Sequence, residues 1–187
     1  IGFLILINLS IPAIIISLIS IPLIVIYPLT KRVTFFPQVW LGITFNVGIL
    51  VGYSCISENY PNISVIILYI GAIFWTIGYD TLYAMQDYND DLLTGVKSTA
   101  VKMHKYSGIF AAFSYIICTI IFCTALILND LNPLSIIIII ILGIWQILHA
   151  LRTKIKDTSK FISGFNKSNI CGFYIWVVMI SDLYMLN

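Results

Sequence analysis

The sequence predicts an all-α fold, a polytopic bundle of transmembrane helices. Three observations carry this. Of the 187 residues, 60% are apolar and only 10% are charged, with a mean hydropathy of +1.01; an ordinary soluble domain is about 45–50% apolar and about 25% charged. One core of this size could not hide so much apolar surface. That excludes a soluble globular domain, a disordered chain and a nucleic-acid-binding module. Second, the apolar residues are gathered into runs near the roughly 20 residues that cross a bilayer as a helix. Third, the basic residues fall only on alternate connections between those runs.

Residues 1–8 read as the tail of a helix, stopped by the polar break Asn8–Ser10. Six apolar stretches follow, at about 10–28, 36–56, 64–83, 107–128, 134–150 and 169–186. Within a bilayer only helices or closed barrels satisfy the backbone. Ile136–Ile141 is continuously apolar where a barrel strand would alternate, so the stretches are helices. Pro12 and Pro22 predict a bend in the first, and Pro133 fits the first turn of the fifth. The chain opens on Ile1 inside an apolar run, with no basic region and no small-residue cleavage site, so no signal peptide is expected. Residues 1–187 are expected to form a single transmembrane domain, the C-terminal part of a longer protein. The four cysteines are scattered singly and read as core or lipid-facing residues.

Lys31 and Arg32 follow the first span, and Lys97, Lys102 and Lys105 follow the third. Arg152, Lys154, Lys156, Lys160 and Lys167 follow the fifth, which accounts for all 10 basic residues. The opposite connections carry only Glu58 and Asp130. The positive-inside rule makes the basic side cytoplasmic, or the matrix side in a mitochondrion.

Chemistry gathers at Tyr79–Ala100, YDTLYAMQDYNDDLLTGVKSTA, where Asp80, Asp87, Asp90 and Asp91 meet the basic surface. On a continuous helix, at about 100° per residue, Asp80, Asp87 and Asp91 would fall within roughly 40° of one another. Like charges this close call for a compensating cation. Carboxylates are hard ligands suited to Mg²⁺, which typically takes one or two of them plus substrate phosphates. Asp87 and Asp91, four apart, suit that role. On the same side, Tyr27-Pro28-Leu29-Thr30-Lys31-Arg32 offers cations for a diphosphate, with Tyr27 and Lys31 one turn apart if the helix persists. Most of the aromatics near the acids, Phe74, Trp75, Tyr79 and Tyr83, are expected to be packing residues, while one or two offer a π-face to an allylic cation. Gly95-Val96-Lys97-Ser98-Thr99 lacks the spacing of a P-loop. His104 and His149 are singletons and are read as interfacial.

These motifs resemble the UbiA-type intramembrane prenyltransferases, and within that family the 4-hydroxybenzoate polyprenyltransferases of ubiquinone biosynthesis. YDTLYAMQDYNDD with GVKSTA is similar to the second aspartate-rich motif, and YPLTKR to the YxxxK element; FFPQVWLG and FNKSNICGF also fit the subgroup. The resemblance implies a nine-helix bundle of which this chain supplies roughly the last two thirds. It implies that Asp87 and Asp91 hold Mg²⁺ on a polyprenyl diphosphate, that Tyr27, Lys31 and Arg32 touch the diphosphate with help from Lys97, and that Asp80 belongs to the same pocket. The family's first motif, NDxxDxxxD, has no match here, so these residues alone are expected to be inactive.

The implied reaction is Mg²⁺-dependent prenylation of the ring of 4-hydroxybenzoate, in a multi-pass protein of the bacterial inner membrane or, alternatively, of the mitochondrial inner membrane. The alternatives are a different acceptor, such as a naphthoate, homogentisate or haem, and a cation transporter using the acidic residues as an ion path.

Overall fold

The computed structural model describes the backbone of residues 2–153 and 158–185, and the side chains of 2–153 and 165–182. Lys154 and Lys156, and the side chain of Lys160, lie outside the described residues. Helix α1 (Gly2–Leu6) is short, and α2 (Ile11–Val33) is the first long one. The pair α3 (Pro37–Phe45) and α4 (Val47–Ser57) is followed by α5 (Ile63–Ala84). Two short helices, α6 (Tyr88–Thr94) and α7 (Thr99–Met103), lead into α8 (Ser107–Ile127), α9 (Pro133–Arg152) and α10 (Thr158–Met185). No strand occurs among the described residues.

Five of the expected stretches are long and apolar enough to cross a membrane: Ile11–Val33, Pro37–Ser57, Ile63–Ala84, Thr99–Ile127 and Pro133–Arg152. The sixth, 169–186, falls within α10 up to Met185. Their outer faces are apolar, with Leu18, Ile19, Ile24, Val25, Ile120 and Ile141 all exposed. A surface of that kind suits lipid and not water.

Caps mark where the chain turns. Ser10 accepts from the Ala13 N–H at the start of α2 and donates to the Ser54 carbonyl of α4 at 2.6 Å. Asn62 and Asn132 cap α5 and α9 in the same manner, the latter with Pro133 in the first turn. α2 runs through both Pro22 and Pro28 and extends five residues beyond the expected end at 28. The indole of Trp40 donates to the Leu23 carbonyl at 2.8 Å, one residue before the Ile24 carbonyl, for which Pro28 offers no N–H. The second stretch is two helices. Asn46 breaks it, and its amide donates to the carbonyls of Gly42 (2.8 Å) and Ala72 (3.3 Å) and to Thr76 Oγ1 (2.8 Å). A polar side chain amid apolar residues thereby pins the α3–α4 kink to α5.

The centre of the bundle is α5 against α8, with α9 and α10 beside them. Ala72, Cys118, Phe122, Leu126 and Ile139 form one buried cluster, and Leu82, Ala111, Ala112, Tyr115 and Ala150 a second. Helices come this close because α5 presents glycine to aromatic rings. A Cβ on Gly78 would sit 2.7 Å from Cε1 of Tyr115. Tyr115 is 1% exposed and its hydroxyl bonds Ser168 Oγ of α10 at 2.8 Å, so the ring cannot swing away. Gly78→Val is therefore expected to cost about 1–3 kcal/mol from overpacking. Thermal unfolding in detergent reads this; an unchanged midpoint would mean that the α5–α8 seam tolerates a side chain there.

Hydrogen bonds between distant residues show which connections share an end. Ser64 bonds Asn129, joining the 57–63 and 127–133 connections. Lys97 bonds Val33, joining the connections after α2 and α5 at the other end.

Candidate functional site: the basic end of α2 against the acidic corner of α5 and α6

The acidic segment does not continue α5. The N–H groups of Met85, Gln86 and Asp87 bond the carbonyls of Leu82, Tyr83 and Ala84, three residues back, which tightens the last turn and redirects the chain. The residues that follow are Gln86–Asp91, rich in Asp and Asn, which favour caps over helix interiors. Asp87 becomes the N-cap residue of α6, and Asp90 and Asp91 lie in its first turn, where the helix dipole favours negative charge. The single stripe projected from Asp80 through Asp91 is thus divided between two helices. Asp87 and Asp91 nevertheless stay one turn apart, because the Asp91 N–H donates to the Asp87 carbonyl at 2.8 Å. Gly95 ends α6 at φ 70°, a left-handed conformation that glycine takes without steric cost.

That turn sends the chain back across the end of α2. The Lys97 N–H donates to the Lys31 carbonyl at 2.9 Å, and Lys97 Nζ donates to the Val33 carbonyl at 3.2 Å. Lys97 and Lys102 also hold their ammonium groups 5.5 and 5.4 Å from the centre of the Phe35 ring. Residues more than sixty positions apart in sequence therefore meet. Asp91 and Lys97 line one small pocket of about 190 Å³ together with Phe35 and Gly95.

Asp80 lies on the last turns of α5, with the charges of Lys31 and Asp87 acting on its carboxylate. Tyr27 faces Asp80 and Tyr79. Because α2 persists through Pro28, Tyr27 and Lys31 do share a turn. Arg32 is exposed in the last turn of α2, and Asp90 is exposed in α6. The structure thus brings Tyr27, Lys31, Asp80, Asp87, Asp91 and Lys97 to one end and leaves Asp90 at its rim.

Below the charged mouth lies an apolar cavity of about 300 Å³ between α3, α5 and α10. Leu41, Trp75, Tyr79 and Phe165 supply its apolar wall, and Asn46, Thr76 and Asn169 its polar groups. Aromatic rings continue from the cavity to the mouth: Trp75 to Tyr79 at 6.1 Å, Tyr79 to Phe165 at 5.7 Å, and Phe165 to Tyr83 at 5.0 Å. The indole N–H of Trp75 is buried and has no partner among the described residues. Sequence reasoning missed Gln38, Asn46 and Asn169. Each is a polar amide inside or beside an apolar stretch, and that signal was available.

The UbiA prenyltransferase family model matches residues 1–176. The chain belongs to the UbiA prenyltransferase family. Relatives include a mitochondrial 4-hydroxybenzoate polyprenyltransferase of Dictyostelium discoideum, 45% identical over 111 residues, which are 59% of this chain and 24% of the relative. A 4-hydroxybenzoate octaprenyltransferase of Histophilus somni is 33% identical over 179 residues, 96% of this chain and 62% of the relative. The UbiA prenyltransferase claS of Ampulloclitocybe clavipes is 52% identical over 92 residues, 49% of this chain and 29% of the relative. This UbiA-family chain spans less than two thirds of the length of each of these three. No solved structure matches it.

Among the described residues, no three His, Cys, Asp or Glu side chains converge on one metal position. The carboxylates that this corner offers one turn apart are those of Asp87 and Asp91. That fits Mg²⁺, which completes its octahedron with water and substrate phosphate oxygens and needs no all-protein cage.

Proposed function

We propose that the intact protein transfers a polyprenyl group from polyprenyl diphosphate to the ring of 4-hydroxybenzoate, as the names of its bacterial and mitochondrial relatives state for them. One observation supports this above the others: the cationic end of α2 is bonded to the segment that follows the acidic corner, through Lys97 and Lys31. A diphosphate needs cations beside it, and a metal that bridges it to protein needs carboxylates; this end of the bundle offers both.

In this reading Lys31, Arg32 and Lys97 hold the diphosphate, and Tyr27 borders it. Asp87 and Asp91 would hold Mg²⁺, which supplies neutralisation of the leaving diphosphate. The allylic C–O bond breaks, with its electron pair leaving on diphosphate. The Trp75–Tyr79–Phe165–Tyr83 rings keep water away and present π-faces to the allylic cation. The ring carbon ortho to the phenol attacks, and the ring proton is lost. The Trp75 N–H and the Asn46 and Asn169 amides give the cavity polar groups for an oxygenated acceptor. The donor's tail partitions into lipid at about 0.8 kcal/mol per buried CH₂, which accounts for a membrane fold. The basic end faces the cytoplasm or the mitochondrial matrix, and the product enters ubiquinone synthesis.

The test is transfer by the intact protein in membranes, with 4-hydroxybenzoate and a polyprenyl diphosphate as substrates. Prenylated product is expected with Mg²⁺ and none after chelation with EDTA. Chelation without effect would remove the metal from the reading. Turnover only with a different aromatic acceptor would replace 4-hydroxybenzoate, and ion flux in proteoliposomes without transfer would favour a transporter.

A further inference from the structure

Gln38 sits in the first turn of α3, directly after Pro37, and is 2% exposed. A buried amide must place both its oxygen and its nitrogen. Its Oε1 accepts the backbone N–H of Thr99 at 3.3 Å. Its side chain also lies beside the Asp80 carboxylate and acts on it. With Oε1 engaged by Thr99, the group left on the amide is the Nε2 donor, the kind that suits a neighbouring carboxylate. Beside this junction, Thr81 Oγ1 and Thr99 Oγ1 are 2.9 Å apart, both residues fully buried.

The partners of Gln38 lead in two directions. Asp80 carries the charge that faces Lys31. Thr99 lies two residues after Lys97, whose own backbone holds the Lys31 carbonyl. One buried amide of α3 is therefore bonded to the 97–99 segment and adjoins the Asp80 carboxylate at the end of α5.

We propose that Gln38 is a positioning residue for prenyl diphosphate: by holding the 97–99 segment at its place beside the end of α2, it sets where the Lys31 and Lys97 ammonium groups stand. The inference rests on the prenyl-transfer reading above. Gln38 itself touches neither the diphosphate nor the acceptor. Its loss acts through the lysines and falls on one substrate.

The test uses the intact protein with two variants. Gln38→Met keeps the side-chain volume and removes the acceptor of the Thr99 N–H together with the amide beside Asp80. Gln38→Glu keeps an acceptor for the Thr99 N–H but has no donor for Asp80 and adds a like charge. Both are expected to raise the KM for polyprenyl diphosphate about tenfold, because the lysines that meet the charged diphosphate are displaced. The KM for 4-hydroxybenzoate is expected to stay within about twofold. A purely structural role would lower the amount of active protein, and hence Vmax, without moving one KM alone. Unmoved diphosphate KM in both variants overturns the proposal, as does loss of both variants from the membrane fraction. If the wild-type protein transfers no prenyl group, the functional reading itself falls; an active wild type with unaffected variants removes only the role of Gln38.

Discussion

Replacing Asp87 or Asp91 by alanine in the intact protein is expected to abolish Mg²⁺-dependent prenyl transfer, a loss of more than about a hundredfold. The two are bound in one turn by the Asp91 N–H and the Asp87 carbonyl. That bond is backbone and survives both substitutions, so the change removes carboxylate oxygens with the turn left in place. Asp87→Asn is the sharper control, since it keeps the shape of the side chain while removing its charge. Among the described residues no third acidic, histidine or cysteine ligand stands by to compensate. Turnover measured against Mg²⁺ concentration checks this. Turnover near that of the wild type in either alanine variant would end the assigned metal role.

Lys31→Ala is expected to raise the KM for polyprenyl diphosphate by about tenfold or more, and to leave the KM for the aromatic acceptor unchanged. The tie between α2 and the acidic segment uses the Lys31 backbone carbonyl, not its ammonium group. Alanine therefore keeps the docking and removes only the charge that faces Asp80 and the mouth. Lys31→Arg is expected to restore part of the affinity, because the guanidinium also binds phosphate oxygens, though from a differently shaped fork. Steady-state kinetics with each substrate varied in turn would show it. An unchanged diphosphate KM in Lys31→Ala would detach the α2 end from diphosphate binding.

The alternation of basic and acidic connections was readable from Lys31, Lys97 and Arg152 against Glu58 and Asp130, because it depends only on their order along the chain. The cap residues Ser10, Asn62 and Asn132 are likewise local: each accepts an N–H two or three residues ahead. The third stretch was expected to end at about 83 and α5 ends at Ala84, yet the acidic residues beyond it were projected as if the helix ran on, although Gln86–Asp91 carries the composition that ends helices. Helical projection assumes a continuous helix, and it placed Asp80 in one stripe with Asp87 and Asp91. The kink at Asn46 was missed for a related reason. Its amide is satisfied by Ala72 and Thr76, and nothing in the sequence around position 46 shows that partner.

Composition and charge order therefore suffice for the all-helical membrane bundle, its approximate spans and the residue types of its site. Apolar burial and backbone satisfaction in lipid depend on short-range pattern, and the pattern is strong here. The meeting of the α2 end with the acidic corner, the bridging amide of Gln38 and the cavity walled by Trp75, Tyr79 and Phe165 belong to the tertiary structure alone. Each joins residues tens of positions apart, and such pairings follow from how whole helices pack, which local periodicity does not encode.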